Sequence, residues 1–550
     1  MAIKINKQTF PFEVSSNMWS VECMFGNYCG LVVPIVSTIT FAAISYMAFK
    51  FLFPETKLPV RAYRDGHNWQ SIKISAKPWY CSICQNLLVS GFGVYCDCCN
   101  ICADQECIRK TVHFACKSTV DVEREEHMQH QWVQGNLPLG ASCVFCEDEC
   151  FGLVDFQCCW CQCCVHFQCQ KYLKGHLCDL GQYRPLIVPL WTARVTKTAT
   201  SAERFTSLER GIIPWWQDWA PLIIIGNCKS GNGDCSYLMS ELRHLLNPFQ
   251  VVDLSETSPE VVLSWIKRMQ PVKINLLVAG GDGTVAWILN TIEKMQLSTI
   301  PGVAIVPTGT GNDLSRVLGW GAEHAPYTDG ADLLQKILKA DPQQLDRWSV
   351  ELKPFVHLGL PILNKSLFMY NYLSIGVDAQ VALDFHRTRE SGLYPFSSRI
   401  FNKLLYLCFG TQQVVAAGCR GLNKRVEVYL DGELVTLPDL EAIVVLNIPS
   451  WGAGVDLWAL VDEDVPPQSY SDGIVEVVGI YSSFHMAQLQ VGLSSPYFIG
   501  QAAEVQIRLL TPSPIQVDGE PWAQIPTVIN IKRKDQAEVL VNQTDIYDEL

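Results

Sequence analysis

Three glycine-rich stretches follow strand-like apolar runs, and they constrain the fold of this chain more than any other feature. The runs are PLIIIGN, KINLLVAG and a segment around VAIV, and the patterns of amphipathic helices, such as SYLMSELRHLL and PEVVLSWIKRM, lie between them. This alternation predicts a parallel sheet with right-handed helical crossovers. Ligands bind such sheets at the carboxyl ends of the strands. The stretches NCKSGNG, GGDGT and PTGTGNDLSR occur at those ends.

Each of the three loops has the composition of a phosphate site. Glycine lets backbone N–H groups approach an oxyanion closely, and a helix that begins after the loop adds a favourable dipole. Lys229 and Ser230 supply a positive charge and a hydroxyl, while Asp282 can serve a metal ion or a proton. The loops match neither the Walker A order nor the dinucleotide fingerprint. A single glycine loop is typical of a tight turn, but three at strand ends predict a polyphosphate site.

The cysteines are concentrated ahead of this region. The chain has 24 cysteines, and 18 of them lie between Cys81 and Cys178. Two Cys-x2-Cys pairs occur in each half of this block, and a histidine precedes each half. Eight ligands at these spacings suit two tetrahedral zinc sites. Asp104 occupies in the first half the position that His166 has in the second, and a carboxylate oxygen can also bind zinc.

A long apolar stretch precedes the cysteine block. No charged residue occurs between Glu22 and Lys50, and LVVPIVSTITFAAISYMAF is long enough to cross a bilayer as a helix. Basic residues follow the stretch more densely than they precede it, which predicts that the bulk of the chain faces the cytosol. There thiols stay reduced, so the cysteines should bind metal rather than form disulfides. A cleaved signal peptide fits less well, and Pro34 leaves a re-entrant hairpin as an alternative to a spanning helix.

Length and charge exclude some classes of protein. A chain of 550 residues is too long for one core, so several domains are expected. The net charge of −13 argues against a general nucleic-acid binder, because phosphate contacts need clustered Lys and Arg. We therefore expect no nucleic acid among the partners.

The motifs also carry a family resemblance. NCKSG, GGDGT and PTGTGNDL resemble the catalytic core of diacylglycerol kinases, and NYLSIGVDA, NIPSWGAG, SDGIVEVVGI and VDGEPW extend the likeness toward Trp522. The cysteine block resembles the zinc modules of the phorbol-ester and diacylglycerol-binding type. The resemblance implies a multidomain chain with an N-terminal membrane helix, two small zinc modules and a two-lobed kinase core, made of an α/β parallel-sheet lobe and a β-rich lobe. The expected domains are the anchor 23–53, the zinc modules 67–116 and 130–178, the α/β lobe 217–356 and the β-rich lobe 366–525.

Residue roles follow from the same resemblance. The implied catalytic residues are Asp282, Asp518 and Lys229, with Asp518 as the base and Asp282 as its alternative. The implied nucleotide contacts are Asn227, Ser230, Gly231, Gly280, Gly281, Gly283, Thr284, Gly309, Thr310, Gly311, Asn312 and Asp313. Asp378 and Asp472 are further acidic candidates. The implied zinc ligands are His67, Cys96, Cys99 and Cys116; Cys81, Cys84, Asp104 and Cys107; His130, Cys158, Cys161 and Cys178; and Cys143, Cys146, His166 and Cys169.

The implied activity is transfer of the ATP γ-phosphate to diacylglycerol, which yields phosphatidic acid and ends or reshapes diacylglycerol signalling. ATP, magnesium and structural zinc are the implied cofactors, and diacylglycerol and membrane lipids are the implied partners. The order of anchor, zinc modules and kinase region resembles a form of the family that is associated with arachidonoyl-containing diacylglycerol. The alternatives are a ceramide or sphingosine kinase, an NAD kinase, and a catalytically dead lipid-sensing scaffold.

Overall fold

The computed structural model describes residues 45, 67–72, 78–88, 93–117, 128–192, 194–195, 208–209, 214, 216–228, 234–324, 329–355, 364–390, 419–461 and 465–543. The chain divides into two units, Met1–Val60 and Arg61–Leu550. The anchor predicted over 23–53 lies outside the described residues except for Ser45, as do Lys229, Ser230 and Gly231. No helix within the described residues is long and apolar enough to cross a membrane.

The cysteine block forms two small modules of short strands. Its strands are β1 (Trp69–Ser71), β2 (Trp79–Tyr80), β3 (Leu87–Leu88), β4 (Gly93–Cys96), β5 (Cys102–Asp104), β6 (Met128–Gln129), β7 (Trp132–Gln134), β8 (Phe156–Cys158), β9 (Cys164–Val165) and β10 (Leu177–Cys178). The strand orders β1-β4-β5 and β7-β8-β9 repeat one small sheet in each module. Strands of two to four residues bury little apolar surface, so modules of this size need another source of stability.

The segment after the second module is packed rather than extended. The sequence pattern predicts a linker from about Gly181 to Pro221, but Gly181–Leu186 and Leu190–Thr192 are 3-10 helices, and Ile187 and Val188 are fully buried. The Trp219 indole donates to the carbonyl of Ile187 at 2.8 Å. The linker prediction was wrong here because the apolar run LIV is short and has no periodicity that marks it as core. The short strands β11 (Arg194–Val195) and β12 (Leu208–Glu209) follow.

A parallel sheet with helices forms the first lobe of the core, as the alternating sequence pattern predicts. Its strands are β13 (Leu222–Gly226), β14 (Val251–Asp253), β15 (Asn275–Gly280) and β16 (Val303–Pro307), and its helices are α1 (Asp234–Leu245), α2 (Pro259–Met269), α3 (Asp282–Met295), α4 (Asp313–Val317) and α5 (Gly330–Lys339). The strand order is β14-β13-β15-β16, with every pair parallel. The strands β13 and β16 are buried along their whole length, which explains their continuous apolar sequences.

Where the structure describes it, the second lobe consists of antiparallel strands and two helices. Its elements are β17 (Asp341–Pro354), β18 (Lys365–Met369), β19 (Tyr372–Gly376), α6 (Val377–Glu390), β20 (Val426–Leu430), β21 (Glu433–Val435), β22 (Ala442–Leu446), β23 (Val475–Ile480), α7 (Ser483–Gln490), β24 (Tyr497–Ala502), β25 (Glu504–Leu509), β26 (Ser513–Val517), β27 (Glu520–Gln524) and β28 (Thr527–Val541). Six strands form one sheet in the order β24-β23-β22-β19-β26-β27. Their apolar side chains meet those of β17, β20, β25 and β28 in a shared core.

The sheet of the first lobe continues into the second. Strand β16 pairs in parallel with β28 through Val303 and Val539, and β28 then pairs antiparallel with β17 and β25. The pairing of β17 with β28 has a register irregularity between Arg347 and Trp348. A two-lobed core is therefore confirmed. One continuous sheet, and not a single linking peptide, joins its two lobes.

Candidate functional site

The three glycine-rich loops begin at one edge of the parallel sheet. The strand ends are level, because Gly226 pairs with Ala279 and Gly280 pairs with Pro307. Two of the loops lead directly into helices, α3 and α4. The first-turn N–H groups of a helix have no acceptor within the helix and favour anions. The carboxyl edge of this sheet therefore presents the start of α3 as a candidate phosphate site.

The second and third loops contact each other through glycines. A Cβ built on Gly309 would lie 2.5 Å from the Cα of Gly281, and a Cβ built on Gly281 would lie 3.0 Å from the Cα of Gly309. Real side chains do not approach backbone atoms as closely as 2.5 Å, so Gly309 has to be glycine, and a side chain at Gly281 would force the facing loop to move. The loops are packed backbone against backbone, and this contact fixes the distance between the two loops, which are named phosphate loops after the site that the sequence predicts.

Polar side chains hold the loops in this arrangement. The Asn312 amide accepts from the Gly309 N–H at 3.0 Å and donates to the carbonyls of Gly309 and Ala322 at 3.1 and 2.8 Å. Asn312 has a φ of 54° and is 1% exposed, so its side chain shapes the loop from inside. Asn227 donates to the Thr284 hydroxyl at 3.1 Å, which joins the first loop to the second.

Two carboxylates face each other across the loops. A Cβ built on Gly311 would lie 3.1 Å from Asp313 Oδ2 and 3.3 Å from Asp282 Oδ2. Asp282 accepts from the backbone N–H groups of Asp313 and Leu314 at 3.2 and 3.1 Å. Burial, together with the negative charge of Asp282, raises the pKa of Asp313 to about 6. Paired carboxylate oxygens are the ligands that magnesium prefers, so this pair fits a divalent cation.

Asp313 also joins the two lobes. The Ser450 hydroxyl donates to Asp313 Oδ1 at 2.5 Å, and the N–H groups of Ala453 and Gly454 donate to the same oxygen at 3.1 Å each. Asp313 was expected to contact nucleotide, and in the structure its carboxylate binds the loop that follows β22. An acidic side chain at this position therefore sets how the β-rich lobe meets the phosphate loops.

Asp518 is buried on the β-rich side of the site. It forms a two-residue hairpin turn with Gly519, and their φ values of 47° and 83° suit the Asp-Gly sequence. Its carboxylate accepts the backbone N–H groups of Tyr370, Asn371 and Tyr372 at 2.8, 2.8 and 3.1 Å. Burial raises the pKa of Asp518 to about 7, against the opposing effect of these N–H groups.

Asn371 connects the two acidic residues. Its backbone N–H donates to Asp518 Oδ1 at 2.8 Å, and its side-chain amide donates to Asp282 Oδ1 at 3.1 Å. One residue of the β-rich lobe thus touches both implied catalytic carboxylates. The sequence motif NYLSIGVDA contains Asn371, but a contact across 89 positions of the chain leaves no local signal.

Glu520 follows Asp518 in the motif VDGE, and the family resemblance implies a supporting role for it beside Asp518. A Cβ built on Gly283 would lie 3.2 Å from Glu520 Oε1, so this carboxylate extends over the start of α3. Glu520 is the first residue of β27, and the turn at Asp518 directs it toward the phosphate loops. The site therefore holds a third carboxylate beside Asp282.

The further acidic candidates occupy structural positions. Asp378 is fully buried and accepts from the Ser374 hydroxyl and the Gln516 amide within the β-rich lobe. Asp472 accepts from the N–H of Ile474 at 3.0 Å and is a turn residue. Neither contact reaches the phosphate loops.

The cysteines and histidines of the two modules gather into four groups. In each group the possible ligand atoms lie within 4.8 Å of one another; the groups are His67, Cys96, Cys99 and Cys116; Cys81, Cys84, Asp104 and Cys107; His130, Cys158, Cys161 and Cys178; and Cys143, Cys146, His166 and Cys169. The Cys96 and Cys116 sulfurs are 3.6 Å apart, which is too far for a disulfide. Four groups of this composition suit tetrahedral zinc.

Histidine orientation supports a metal in these groups. His67 Nε2 lies 3.0 Å from the carbonyl of Phe114, and His166 Nε2 lies 3.0 Å from that of Glu149. A carbonyl only accepts, so each Nε2 must carry the proton and each Nδ1 keeps its lone pair. These Nδ1 atoms point at Cys99 and Cys146, at 3.4 and 3.2 Å. A ligating histidine is oriented in this way by its other nitrogen.

Both modules pack against the α/β lobe around helix α1. Lys117 is 3% exposed, and its ammonium donates to the carbonyls of His244 and Leu246 at 2.8 and 2.7 Å. It also lies 4.5 Å from the ring centre of Trp160 in the second module. A cation at the C-terminus of a helix is favourable, so the Lys117 ammonium stabilises the end of α1. Through its contact with Trp160 the same lysine joins both modules to this helix. An ion pair between Asp97 and Arg243 at 3.0 Å adds a second link.

The two lobes and the glycine-lined loops agree with the two-lobed kinase core that the sequence predicts. The diacylglycerol kinase catalytic domain matches residues 221–350, and the diacylglycerol kinase accessory domain matches residues 368–521. The two matches cover more than half of the 550 residues, and the chain belongs to the diacylglycerol kinase family.

The chain is also similar to proteins that are named as diacylglycerol kinases. Probable diacylglycerol kinase 3 of Caenorhabditis elegans is 31% identical over 519 residues, which are 87% of this chain and 64% of that protein. Diacylglycerol kinase theta of Homo sapiens is 39% identical over 321 residues, which are 56% of this chain and 33% of that protein. This chain thus spans less than two thirds of the length of either relative. A solved diacylglycerol kinase from Bacillus anthracis covers 58% of this chain and 96% of its own, at 16% identity and a TM-score of 0.37.

Proposed function

We propose that this chain transfers the γ-phosphate of ATP to the hydroxyl of diacylglycerol and forms phosphatidic acid. The observation that carries the proposal is the connection from Asp282 through Asn371 to Asp518. It joins the glycine-lined phosphate loops of one lobe to a buried carboxylate of the other. A kinase needs both parts, because phosphoryl transfer depends on alignment and on a proton acceptor rather than on a covalent intermediate.

Asp518 has the properties of the proton acceptor. Its Oδ1 accepts two backbone N–H groups, whereas one N–H donates to Oδ2. A carboxylate oxygen has two lone-pair sites, so Oδ2 retains one for the acceptor hydroxyl. A pKa raised to about 7 suits a base that works near neutral pH, because it is ionised there and still basic.

The phosphates have a matching position at the start of α3. Its first-turn N–H groups favour oxyanions, and Asp282, Asp313 and Glu520 surround that position. These three carboxylates would hold magnesium, which neutralises phosphate charge when it is bound. Lys229, Ser230 and Gly231 belong to the first phosphate loop in sequence and are proposed as further phosphate contacts.

Asp282 is the alternative base, and two substitutions distinguish the roles. Asp518→Asn should lower kcat by about 10²-fold or more without changing the magnesium concentration needed for half-maximal rate, because a general base contributes on that order. Asp282→Asn should instead raise the magnesium requirement. If Asp282→Asn left the magnesium dependence unchanged while Asp518→Asn raised it, the two assignments would have to be exchanged.

The reaction itself is tested with labelled ATP and a panel of acceptors. Diacylglycerol in mixed micelles should give labelled phosphatidic acid, while ceramide, sphingosine and NAD should give little product. A dominant product from one of the other acceptors would replace the proposed substrate. Absence of transfer to every acceptor, in protein with its zinc retained, would favour the non-catalytic scaffold.

The membrane anchor and the subtype are finer proposals that rest on sequence. We propose that 23–53 anchors the chain, with the catalytic region in the cytosol, and that arachidonoyl-containing diacylglycerol is preferred. The order of anchor, two zinc modules and kinase region is similar to that of diacylglycerol kinase epsilon. This likeness rests on the order of segments in the sequence, and the relatives compared above carry other names. Deletion of 1–53 should release the protein from membranes and leave activity on dispersed diacylglycerol. An inactive but folded truncation would place the segment in the active site.

Protease protection of an N-terminal tag tests the geometry of the anchor. A protected tag in sealed microsomes indicates a spanning helix, and an accessible tag indicates a re-entrant hairpin at Pro34. Substitution of Pro34 by Ala restores an amide donor and removes the preferred bend, so it should shift a re-entrant form toward spanning.

A further inference from the structure

Two cysteines flank the first phosphate loop. Cys228 follows strand β13 and Asn227, and Cys235 is the second residue of helix α1. Their sulfurs are 3.1 Å apart. The five residues from Lys229 to Gly233 form the glycine-rich part of the loop. Neither cysteine belongs to the four ligand groups of the zinc modules described above, so zinc binding does not account for this pair.

The surroundings hold the pair together. Cys235 is 3% exposed, and a Cβ built on Gly226 would lie 3.1 Å from its sulfur. The absence of a side chain at Gly226 therefore lets the Cys235 sulfur lie against the end of β13. Cys228 is only half-buried and can be reached from solvent. The hydrogen bond from Cys235 lowers the pKa of Cys228, which increases the thiolate fraction of the more accessible sulfur.

We propose that Cys228 and Cys235 are a redox-sensitive pair that forms a disulfide and thereby disables the first phosphate loop. Disulfides in reducing compartments are usually transient and serve redox sensing or catalysis, and the cytosolic location proposed above would place this pair among them. A disulfide has a sulfur–sulfur distance of about 2.05 Å, so the sulfurs need to approach by only about 1 Å.

The chemistry balances with a peroxide as the oxidant. The Cys228 thiolate attacks one oxygen of hydrogen peroxide, the O–O bond breaks, and a sulfenic acid and water result once the leaving hydroxide takes a proton. The Cys235 thiol then attacks the sulfenic sulfur, the S–S bond forms, and a second water leaves. Overall, two thiols lose two electrons and two protons to one peroxide. A dithiol reductant reverses the step by thiol–disulfide exchange.

The consequence for activity follows from what Cys228 is attached to. Its neighbour Asn227 donates from the backbone to the carbonyl of Ala279 at 2.9 Å and from the side chain to the hydroxyl of Thr284 at 3.1 Å. Tightening Cys228 toward α1 therefore pulls on the second phosphate loop as well as the first. A displacement of about 1 Å at such a site can lower the rate about 10²-fold. This part of the inference rests on the proposed function, whereas formation of the disulfide does not.

Tryptic mapping of the full-length, zinc-loaded protein tests the disulfide independently of activity. Trypsin cuts after Lys229, so Cys228 and Cys235 fall in separate peptides, 211–229 and 230–243, and each contains one cysteine. After mild peroxide treatment and alkylation of free thiols, the two peptides should appear joined and should separate after reduction. The proposal is overturned if both cysteines remain alkylated under conditions that fully oxidise a cysteine-containing reference peptide added to the same sample.

Phosphotransfer rates measured in parallel test the regulatory consequence. Each protein is compared with its own fully reduced form, so that any direct effect of a substitution cancels. Wild-type protein should lose activity with peroxide and recover it with dithiothreitol, and Cys235→Ala should lose much less. Cys228→Ser provides a second variant should Cys235→Ala fail to fold. Equal losses in wild-type protein and both variants would place the sensitivity elsewhere, such as in the zinc modules, and would reject the switch even if the joined peptides are found.

Discussion

Substitution at the contact between Gly281 and Gly309 tests the proposed phosphate site most directly. In Gly309→Ala the new methyl group would lie 2.5 Å from the Cα of Gly281 and 2.8 Å from Asn312 Oδ1. An ordinary carbon–carbon contact is about 3.5–4.0 Å, so the loops must separate by about 1 Å. Neither neighbour can give way alone, since one is backbone and the other makes three hydrogen bonds, two to Gly309 and one to Ala322.

The size of the effect follows from this displacement. Overpacking of a rigid site costs about 1–3 kcal/mol of stability, so the variant should still fold. Misplacement of the phosphate loops by about 1 Å should lower kcat by about 10²-fold. Steady-state kinetics with saturating diacylglycerol and a thermal denaturation curve would separate the two effects.

A second glycine in the same site provides the control. A Cβ on Gly283 meets only Glu520 Oε1, at 3.2 Å, and this atom is the end of a flexible side chain. Gly283→Ala should therefore retain far more activity than Gly309→Ala, whereas Gly283→Asp should abolish turnover because its carboxylate repels phosphate. Equal activity in Gly309→Ala and wild-type protein would refute the idea that the glycine contact positions the nucleotide.

Three further predictions concern the modules and the pH dependence. Lys117→Met should destabilise the protein by about 2–4 kcal/mol, because two buried carbonyls lose a charged donor; calorimetry should show no comparable loss for the exposed Lys174→Met. Zinc analysis should find about four zinc ions per chain. Cys161→Ser should unfold the second module, while Cys150→Ala, outside the ligand groups, should not. Disulfides between the cysteines of the ligand groups would contradict zinc binding. Because the pKa of Asp518 is raised to about 7, kcat should rise as the pH increases through about 7. The protonated Asp518 should also contribute to the free energy of unfolding. This contribution should be complete below about pH 4 and lost as the pH rises through 7. A flat pH–rate profile from pH 5 to 8 would contradict the assignment of the base.

Local sequence patterns predicted the parallel lobe because their signals are short in range. The helix expected from PEVVLSWIKRM is Pro259–Met269, and the strand expected from KINLLVAG is Asn275–Gly280. Apolar periodicity and glycine position are set by neighbours in the chain, so they can be read without the fold.

Contacts across the chain could not be predicted in this way. Asn371 joins Asp282 to Asp518, and Lys117 caps helix α1 from the cysteine-rich modules, yet both are single polar residues without a local pattern. The Asp-Gly pair predicts the turn at Asp518 from the sequence. The Asp518 carboxylate accepts three backbone N–H groups only because strand β19 lies beside β26. The position of Glu520 over Gly283 follows from that same turn. Side-chain roles at the lobe junction thus require the assembled sheets.

The structure of the full-length protein with magnesium and a non-hydrolysable ATP analogue would test the central claim most directly. The account predicts the γ-phosphate at the start of α3, beside Gly283, with the metal on Asp282 and its neighbouring carboxylates and with Asp518 facing the acceptor side. A nucleotide bound away from the Gly281–Gly309 contact, or a γ-phosphate that the carboxylate of Asp518 cannot approach through an acceptor hydroxyl, would contradict it.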